Sequence, residues 1–258
     1  MISVITICYN AEKEIERTIR SVLCQTYKNL EYIIVDGASQ DGTVAVVKKT
    51  ISEYPQRKVY LISERDRGIY DAMNKGIKMA NGEWVNMMNA GDCFNNQYVL
   101  ERIFSQPIPD NVSFIYSDFF KLTSFGHYFR VVKNCSEGHI SVVHQSTIYR
   151  RKLHEHYGYY VVTPKIIISD YLFFLQVPVE EMMKTDVVIA RYEGSGVSEQ
   201  GSWCIKQSLC AGAIYRYHSF WSIYIDFFKW RIKHWIPKRW REWYRLQQAP
   251  VSEAEENK

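Results

Sequence analysis

Three aspartates follow short apolar segments, each at a point where a buried strand is predicted to end. Asp36 closes the run LEYIIVD, Asp66 follows KVYLIS, and Asp92 follows EWVNMM. Carboxylates suit Mg²⁺ and Mn²⁺, which complete their coordination with phosphate oxygens and water. The pattern therefore indicates chemistry on a diphosphate that is held through a divalent cation. A single aspartate in such a position would more simply begin a turn.

Strand and helix patterns alternate through this region. Runs rich in Val, Ile and Tyr predict strands over residues 2–7, 30–36, 58–63 and 83–88. Between them, apolar residues at helical spacing predict helices within residues 11–25, 41–54 and 68–80. This order predicts an α/β protein with a mostly parallel, doubly wound sheet, in which ligands bind beyond the carboxyl ends of the strands. The three aspartates are therefore expected to share one edge of the sheet.

Two common phosphate-binding loops, GxGxxG and GxxxxGK[ST], are absent from the sequence. A nucleotide would therefore be held through a metal rather than by a cradle of backbone amides. The same absence argues against a nucleotidyltransferase, whose phosphate site would need a Gly-rich loop. The histidines at positions 144, 154 and 156 lack the spaced Cys or carboxylate partner of a zinc site.

Six segments together resemble the inverting family 2 glycosyltransferases with the GT-A (nucleotide-diphospho-sugar transferase) fold, in the branch that builds bacterial surface polysaccharides. They are SVITICYN, EYIIVDGASQDGT, DRGIYDAMNKGIKMANGEWVNMMNAGD, HQSTIYR, SDYLF and GSGVS. The resemblance implies transfer of a sugar from a nucleotide-sugar donor, with a UDP- or dTDP-sugar favoured. It also implies inversion, Mg²⁺ or Mn²⁺ as cofactor, and a saccharide or lipid-linked saccharide as acceptor. A non-catalytic, sugar-nucleotide-binding scaffold of the same fold is the main rival.

The resemblance assigns nucleotide binding to seven residues. They are Tyr9, Asn10, Asp36, Asp66, Asn74, Lys75 and Asn89. Asp36 is expected to accept a hydrogen bond from the N3–H of uracil or thymine, and Lys75 to stabilise charge that develops on the diphosphate. Read singly, Tyr9 could pack in the core, and Lys75 could be a solvated helix residue.

The resemblance assigns metal binding, catalysis and acceptor binding to four further residues. The family's metal motif is Asp-any-Asp; here Asp92 keeps the last carboxylate, and Ala90 stands two residues before it. Asp170 matches the family's catalytic base and could also cap the helix that it begins. His144 and Gln145 match a His-Gln pair that is expected to shape the acceptor site, although a lone histidine on an apolar strand often packs in the core.

Composition changes near residue 200. The chain has 258 residues with 47% hydrophobic content, which predicts a large folded core. Between positions 201 and 250, nine Lys and Arg stand against two acidic residues, and six of the seven tryptophans lie there. We predict a GT-A catalytic domain over 1–200, with a nucleotide-sugar half (1–95) and an acceptor half (96–200). A helical appendage over 201–248 and a disordered tail over 249–258 follow. The Gly-rich segment 190–201 is expected to close on the donor or to be a plain linker.

Aromatic and basic residues alternate at helical spacing over 220–246. This pattern suits a helix on an anionic membrane surface, where a lipid-linked acceptor would be reached. The alternatives are packing on the catalytic domain or on another subunit, which leaves a homodimer open. No nucleic-acid-binding fold accompanies the basic segment, so no nucleic acid partner is expected.

Six cysteines without a CxxC pair favour a reducing compartment. The sequence shows no signal peptide, and no run reaches the roughly 20 apolar residues of a spanning helix. We therefore expect a cytoplasmic protein that is peripheral on the inner face of the cytoplasmic membrane.

Overall fold

A computed structural model describes residues 1–137, 139–192, 202–216 and 220–248. Over these residues it contains thirteen strands and nine helices. The strands are β1 (Ile2–Cys8), β2 (Leu30–Asp36), β3 (Lys58–Ser63), β4 (Trp84–Met87), β5 (Cys93–Phe94), β6 (Phe114–Tyr116), β7 (Phe119–Leu122), β8 (Tyr128–Val131), β9 (Cys135–Ser136), β10 (His139–Ile140), β11 (Thr147–Arg150), β12 (Met182–Lys184) and β13 (Ala190–Tyr192). The helices are α1 (Ile15–Leu23), α2 (Thr43–Ser52), α3 (Ile69–Met79), α4 (Val99–Phe104), α5 (Leu153–Tyr157), α6 (Ser169–Phe174), α7 (Trp203–Arg216), α8 (Phe220–Trp235) and α9 (Lys238–Gln248).

The central sheet has seven strands in the order β12-β6-β11-β4-β1-β2-β3. The pairs β4-β1, β1-β2 and β2-β3 are parallel, as the strand and helix alternation predicts. Only β11 runs against its neighbours in this sheet, pairing antiparallel with both β4 and β6. The start of β11 therefore lies beside the end of β4, and this reversal brings the second half of the chain to the edge where the first half ends its strands.

Side chains of β1 alternate between two hydrophobic clusters, one on each face of the sheet. Ile5 joins the cluster that contains Met73 of α3, and Val4 joins the cluster that contains Ile19 of α1. This alternation follows from the two-residue repeat of a strand. Because both faces are covered, β1, β2 and β4 are buried and mostly apolar, and the polar residues that follow them lie at the sheet edge.

Smaller elements complete the second half. A four-stranded sheet has the order β5-β13-β7-β8, and β9 pairs with β10 in a two-stranded ribbon. Helices α7, α8 and α9 follow, with Pro237 between α8 and α9. The predicted tail over 249–258 and most of the Gly-rich segment 190–201 lie outside the described residues.

A buried carboxylate, Glu31, ties the start of the sheet together. It accepts hydrogen bonds from the Ser3 hydroxyl (2.6 Å) and from the backbone N–H groups of Asn81 (2.6 Å) and Gly82 (3.1 Å). Burial alone would raise the pKa of Glu31, but these hydrogen bonds together hold it below its usual range. The ionised form is therefore favoured by folding.

Glu31→Gln is expected to lower the free energy of unfolding at neutral pH by about 1–3 kcal/mol, because two or more buried donors lose a charged acceptor. A folded-state pKa below that of the unfolded chain stabilises the protein above the usual glutamate pKa, and the stabilisation is lost as pH falls. The difference between the two proteins should therefore shrink below about pH 4 in urea unfolding. Exposed Glu155→Gln is the control, and a difference for Glu31→Gln that is independent of pH would contradict this account.

Candidate active site

Strand register places the ends of β1, β2 and β3 side by side. Cys8 pairs with Asp36, and Asp36 pairs with Ser63. Beyond these ends, Tyr9 and Asp66 both lie against Gly37. A Cβ added at Gly37 would come within 2.6 Å of the Asp66 Oδ2 atom and 3.3 Å of the Tyr9 ring. The structure therefore brings Tyr9, Asp36 and Asp66 to one edge, and a larger residue at position 37 would require the Asp66 carboxylate to move.

Asp36 is fully buried, and its carboxylate is already engaged. It accepts hydrogen bonds from the Ser63 hydroxyl (2.6 Å) and from the hydroxyl and backbone N–H of Ser39 (2.5 and 3.1 Å). Asn10, with a φ of 49°, joins the same loop, because its amide oxygen accepts a hydrogen bond from the Gln40 backbone at 2.8 Å. A contact from Asp36 to a base stays a prediction.

The two α3 residues assigned to the diphosphate differ in placement. Asn74 is buried and exchanges two hydrogen bonds, of 2.8 and 3.0 Å, with the backbone of Tyr160. The Lys75 Nζ atom lies 2.9 Å from the Glu64 carboxylate and donates to the Arg65 carbonyl at 2.7 Å. Asn74 therefore anchors the chain near Tyr160 rather than joining the strand ends, whereas Lys75 reaches the loop that carries Asp66. Diphosphate contacts from either residue stay predictions.

Residues from both halves of the chain meet around the imidazole of His144. Its Nδ1 atom lies 3.1 Å from Oδ2 of Asp170, and its Nε2 atom lies 3.0 Å from the side-chain nitrogen of Asn89. The same Nε2 atom is 3.9 Å from Oδ2 of Asp92. The Tyr70 hydroxyl donates to the other oxygen of Asp170 at 2.8 Å. The predicted base, the predicted metal ligand and the acceptor-side histidine therefore form one cluster.

Three elements position this cluster. His144 begins a short 3₁₀ turn, residues 144–146, that leads into β11, and β11 pairs with β4. The chain after β4 continues along β1, since the backbone N–H of Ala90 donates to the Ile7 carbonyl at 3.1 Å. Asp170 lies in the first turn of α6. The antiparallel β11 is thus the feature that sets His144 beside Asn89.

Burial and the neighbouring groups shift the pKa values of Asp170 and His144 in opposite directions. Burial alone would raise the pKa of Asp170, but the hydrogen bond and positive charge of His144 and the hydrogen bond from Tyr70 hold it below its usual range. Burial alone would lower the pKa of His144, but Asp170, together with the charge of Asp92, raises it. Burial and the Asp170 charge also raise the pKa of Tyr70, which therefore stays a hydrogen-bond donor. Asp170 is accordingly an ionised carboxylate that can accept a proton.

A family model described as "Glycosyl transferase family 2" matches residues 3–158, more than half of the chain. The chain belongs to glycosyl transferase family 2. The matched residues include the first four strands, Asp92 and His144, whereas Asp170 lies beyond them.

One curated relative of this family 2 glycosyltransferase is WfgD of Escherichia coli, a UDP-Glc:alpha-D-GlcNAc-diphosphoundecaprenol beta-1,3-glucosyltransferase. It is 29% identical over 160 residues, which cover 57% of this chain and 61% of WfgD. Two solved structures share the fold. TarS 1–349 of S. aureus in complex with UDP has a TM-score of 0.65 at 19% identity and covers 83% of this chain and 64% of that chain.

The other structure is the mannosyltransferase PcManGT of Pyrobaculum calidifontis in complex with GDP-Man and Mn²⁺. It has a TM-score of 0.63 at 19% identity and covers 83% of this chain and 63% of that chain. The GT-A fold predicted from the sequence is therefore confirmed. The chain spans less than two thirds of each of these three proteins.

The residues after β4 offer few ligands for Mg²⁺ or Mn²⁺. Among the described residues, no group of three or more His, Cys, Asp and Glu side chains is arranged to hold a metal. The buried amide oxygen of Asn89 has no hydrogen-bond partner among the residues that the structure describes. Both Asn89 and Asp92 lie against His144. One carboxylate and one amide oxygen fit a hard divalent cation whose remaining ligands come from a diphosphate and water.

Sequence reasoning missed Tyr70, which donates to the predicted base. A signal was available, because Tyr70 shares one helical face with Met73, Asn74 and Ile77, and a tyrosine on a buried face needs a partner for its hydroxyl. Gln145, in contrast, is buried, and its amide oxygen has no hydrogen-bond partner within the described ranges. Its role at an acceptor site stays a prediction.

Proposed function

We propose that the chain transfers a sugar from a nucleoside-diphosphate sugar to a saccharide acceptor, with inversion at the anomeric carbon. A UDP- or dTDP-sugar is the favoured donor, and a saccharide on a lipid diphosphate is the favoured acceptor. The observation that carries the proposal is the ionised Asp170, which Tyr70 and His144 hold within one cluster with Asp92.

In this reaction the carboxylate of Asp170 takes the proton from an acceptor hydroxyl while the oxygen of that hydroxyl bonds to the anomeric carbon. The bond from that carbon to the diphosphate oxygen breaks, and the nucleoside diphosphate leaves with the electron pair. Because one base activates the acceptor and no side chain forms a covalent intermediate, a single displacement inverts the configuration. A bound Mg²⁺ or Mn²⁺ would supply Lewis-acid stabilisation of the leaving diphosphate. Asp92 and Asn89 would hold that ion.

The names of the three compared proteins support this proposal. WfgD is named for a UDP-sugar donor and a diphosphoundecaprenol-linked acceptor, TarS was solved with UDP, and PcManGT was solved with GDP-Man and Mn²⁺. We infer from the lipid-linked acceptor in the name of WfgD that this chain acts in the synthesis of a surface polysaccharide. TarS was solved with a uridine nucleotide and PcManGT with a guanosine nucleotide, so proteins with this fold bind more than one base.

Thermal-shift measurements with a panel of nucleotide sugars, with and without Mn²⁺, test the donor part of the proposal. A UDP- or dTDP-sugar should raise the melting temperature more in the presence of Mn²⁺ than in its absence, since diphosphate and metal complete one another's binding. If no nucleotide stabilises the protein, the proposal fails. Stabilisation without any transfer to saccharide acceptors would instead favour the non-catalytic scaffold.

His144→Gln is expected to reduce kcat by about 10–100-fold, because Asp170 loses its hydrogen bond with the imidazole. The KM for the donor should change less, since the ring contacts the donor side only through Asn89 and Asp92. Steady-state kinetics of sugar transfer measure both effects. His156→Gln, an exposed histidine twelve residues further along, is the control. An unchanged kcat in His144→Gln would remove the histidine from the catalytic cluster.

The aromatic face of α8 supports attachment to an anionic membrane surface. Trp221, Tyr224, Phe228, Ile232 and Trp235 recur at helical spacing, and their exposed fractions are 74%, 56%, 65%, 54% and 91%. Basic residues outnumber acidic ones on α8 and α9, so charge complements an anionic surface. Within the parts of the chain that the structure describes, no helix is long and apolar enough to cross a membrane. The helix would therefore lie in the interface.

Phe228→Ser with Trp235→Ser is expected to weaken binding to phosphatidylglycerol-containing vesicles by about tenfold or more, since each buried aromatic contributes on the order of 2 kcal/mol. Vesicle co-sedimentation measures this change. The control removes two exposed apolar side chains from the catalytic domain, by Tyr98→Ser with Val132→Ser, and should bind like the wild type. Vesicle-independent doubling of the mass, lost in the α8 variant, would show that a second subunit covers this face instead.

A further inference from the structure

A basic cavity of about 570 Å³ lies where α7, α8 and α9 meet β7 and β8. Its cationic lining residues come from three of these elements: Lys121 from β7, Lys233 from α8, and Lys238, Arg241 and Arg245 from α9. The catalytic cluster contains none of these residues. The cavity is therefore a separate concave site with a strongly positive wall.

The positive charge of the cavity exceeds the negative charge that faces it. Glu242 is its one acidic lining residue in the described chain, and it accepts hydrogen bonds from the backbone and hydroxyl of Ser124 at 3.0 and 2.6 Å. Its other oxygen lies 3.8 Å from Lys238. Burial, followed by repulsion from Arg245 and Arg241, lowers the pKa of Lys233. An anion bound among these side chains would relieve that repulsion.

Arg241 has a donor that the described chain leaves unused. Its Nε atom is buried and has no hydrogen-bond partner among the described residues. An arginine fork matches phosphate oxygens in geometry as well as charge, whereas Lys233 can supply a mobile point charge. The lining therefore suits a phosphate or diphosphate better than a single carboxylate.

One wall of the cavity adjoins the catalytic cluster. Cys204 of α7 lines the cavity and packs against the hydrophobic cluster that contains Phe173 and Phe174 of α6. Burial raises the pKa of the Cys204 thiol, and the negative charge of Asp170 raises it further. Helix α7 is also fixed to the chain just before Asp170, since the Gln207 amide oxygen accepts from the Ile167 backbone at 3.0 Å.

The other side of the cavity adjoins apolar surface. Trp230 of α8 lines the cavity, while Phe228, Ile232 and Trp235 of the same helix, with Arg231, line an apolar groove of about 250 Å³. Helix α8 therefore lines the cationic cavity on one side and, on another, an apolar groove that suits a hydrocarbon chain. A ligand with an anionic head and a long apolar chain matches both.

We propose that this cavity binds the diphosphate of a lipid-linked acceptor, with the lipid chain along the α8 groove and the saccharide directed towards Asp170. The inference rests on the proposed sugar transfer and adds the place where the acceptor is held. It explains why cations and exposed aromatics share the helices that follow the catalytic domain.

The test compares two double variants of the full chain with equal loss of charge. Lys233→Gln with Arg241→Gln alters the cavity, whereas Lys229→Gln with Arg239→Gln alters exposed positions of the same two helices. Binding is measured to phosphatidylcholine vesicles that contain a polyprenyl diphosphate, and to vesicles matched in surface charge with phosphatidylserine. Saturating UDP is present so that the donor site is filled. Inorganic pyrophosphate is added as a competitor.

The wild type is expected to prefer the polyprenyl diphosphate vesicles by about tenfold over the charge-matched vesicles. The cavity variant should lose this preference, and the exposed-site variant should keep it. Equal binding to the two vesicle types by the wild type, or equal loss in both variants, would overturn the proposal. Pyrophosphate that binds as tightly as the lipid would show a free-phosphate site and reject the lipid as its source.

A measurement of donor binding distinguishes failure of this proposal from failure of the proposed function. If UDP-sugar stabilises all three proteins equally while no vesicle preference is found, only the acceptor cavity is refuted. If no donor stabilises any of them, the proposed function itself fails.

Discussion

Asp170→Asn is expected to reduce sugar transfer by roughly 10²–10⁴-fold, the range that a positioned general base contributes. Asparagine keeps the shape and can still accept the hydrogen bond from Tyr70, but it cannot take a proton from the acceptor hydroxyl. The change should therefore appear in kcat, measured with saturating donor. Nucleotide binding, measured by thermal shift, should stay close to that of the wild type.

Asp186→Asn is the matched control, because Asp186 is exposed and lies in the same half of the chain. It should transfer sugar like the wild type. Transfer by Asp170→Asn at the wild-type rate would show that another group removes the acceptor proton. Loss of nucleotide binding together with transfer would mean that Asp170 organises the donor site.

Asp92→Asn is expected to reduce metal-stimulated transfer by about 10²-fold or more, since a Lewis acid on the leaving diphosphate supplies several kcal/mol. The structure offers Asn89 as the neighbouring oxygen donor, and an amide alone is a weak ligand for a hard cation. Transfer rates across a Mn²⁺ titration measure the effect. In the variant, added Mn²⁺ should raise the rate little.

A substitution that adds a carboxylate also tests the proposed metal site. Ala90→Asp restores a second carboxylate and should strengthen Mn²⁺ binding in the absence of nucleotide, measured by calorimetry. The wild type should bind the ion weakly under that condition. Tight binding by the wild type without a diphosphate, or full Mn²⁺ stimulation of Asp92→Asn, would contradict the role of Asp92. Exposed Asp110→Asn is the control.

The first half of the fold was predictable because its strands are local and nearly continuous in apolar residues. The predicted strand over 30–36 and the observed β2 coincide, as do the prediction over 58–63 and β3. Parallel order then places Asp36 and Asp66 at one edge without further information. Helices α1, α2 and α3 lie within the predicted ranges and do not fill them, because polar residues at a helix end satisfy the pattern without joining the hydrogen-bonded turns.

The second half was less predictable because its decisive contacts are distant in sequence. Neither the spacing of His144 and Asp170 nor the polarity of their segments indicates that β11 runs antiparallel to β4. The Tyr70 to Asp170 hydrogen bond joins residues one hundred positions apart. Asn74 shows a contact that the motif did not indicate, because its side chain exchanges two hydrogen bonds with the backbone of Tyr160.

The contact of His144 with both Asn89 and Asp170 limits how the enzyme can be recombined. Asn89 lies in the predicted nucleotide-sugar half, whereas His144 and Asp170 lie in the predicted acceptor half, and the imidazole contacts Asn89 and Asp170 through its two different nitrogens. A chimera that exchanges residues 1–95 for those of a relative would alter donor choice only if the imported strand presents a partner for His144. We therefore expect that exchanging one half of the site would also disturb the other half through His144.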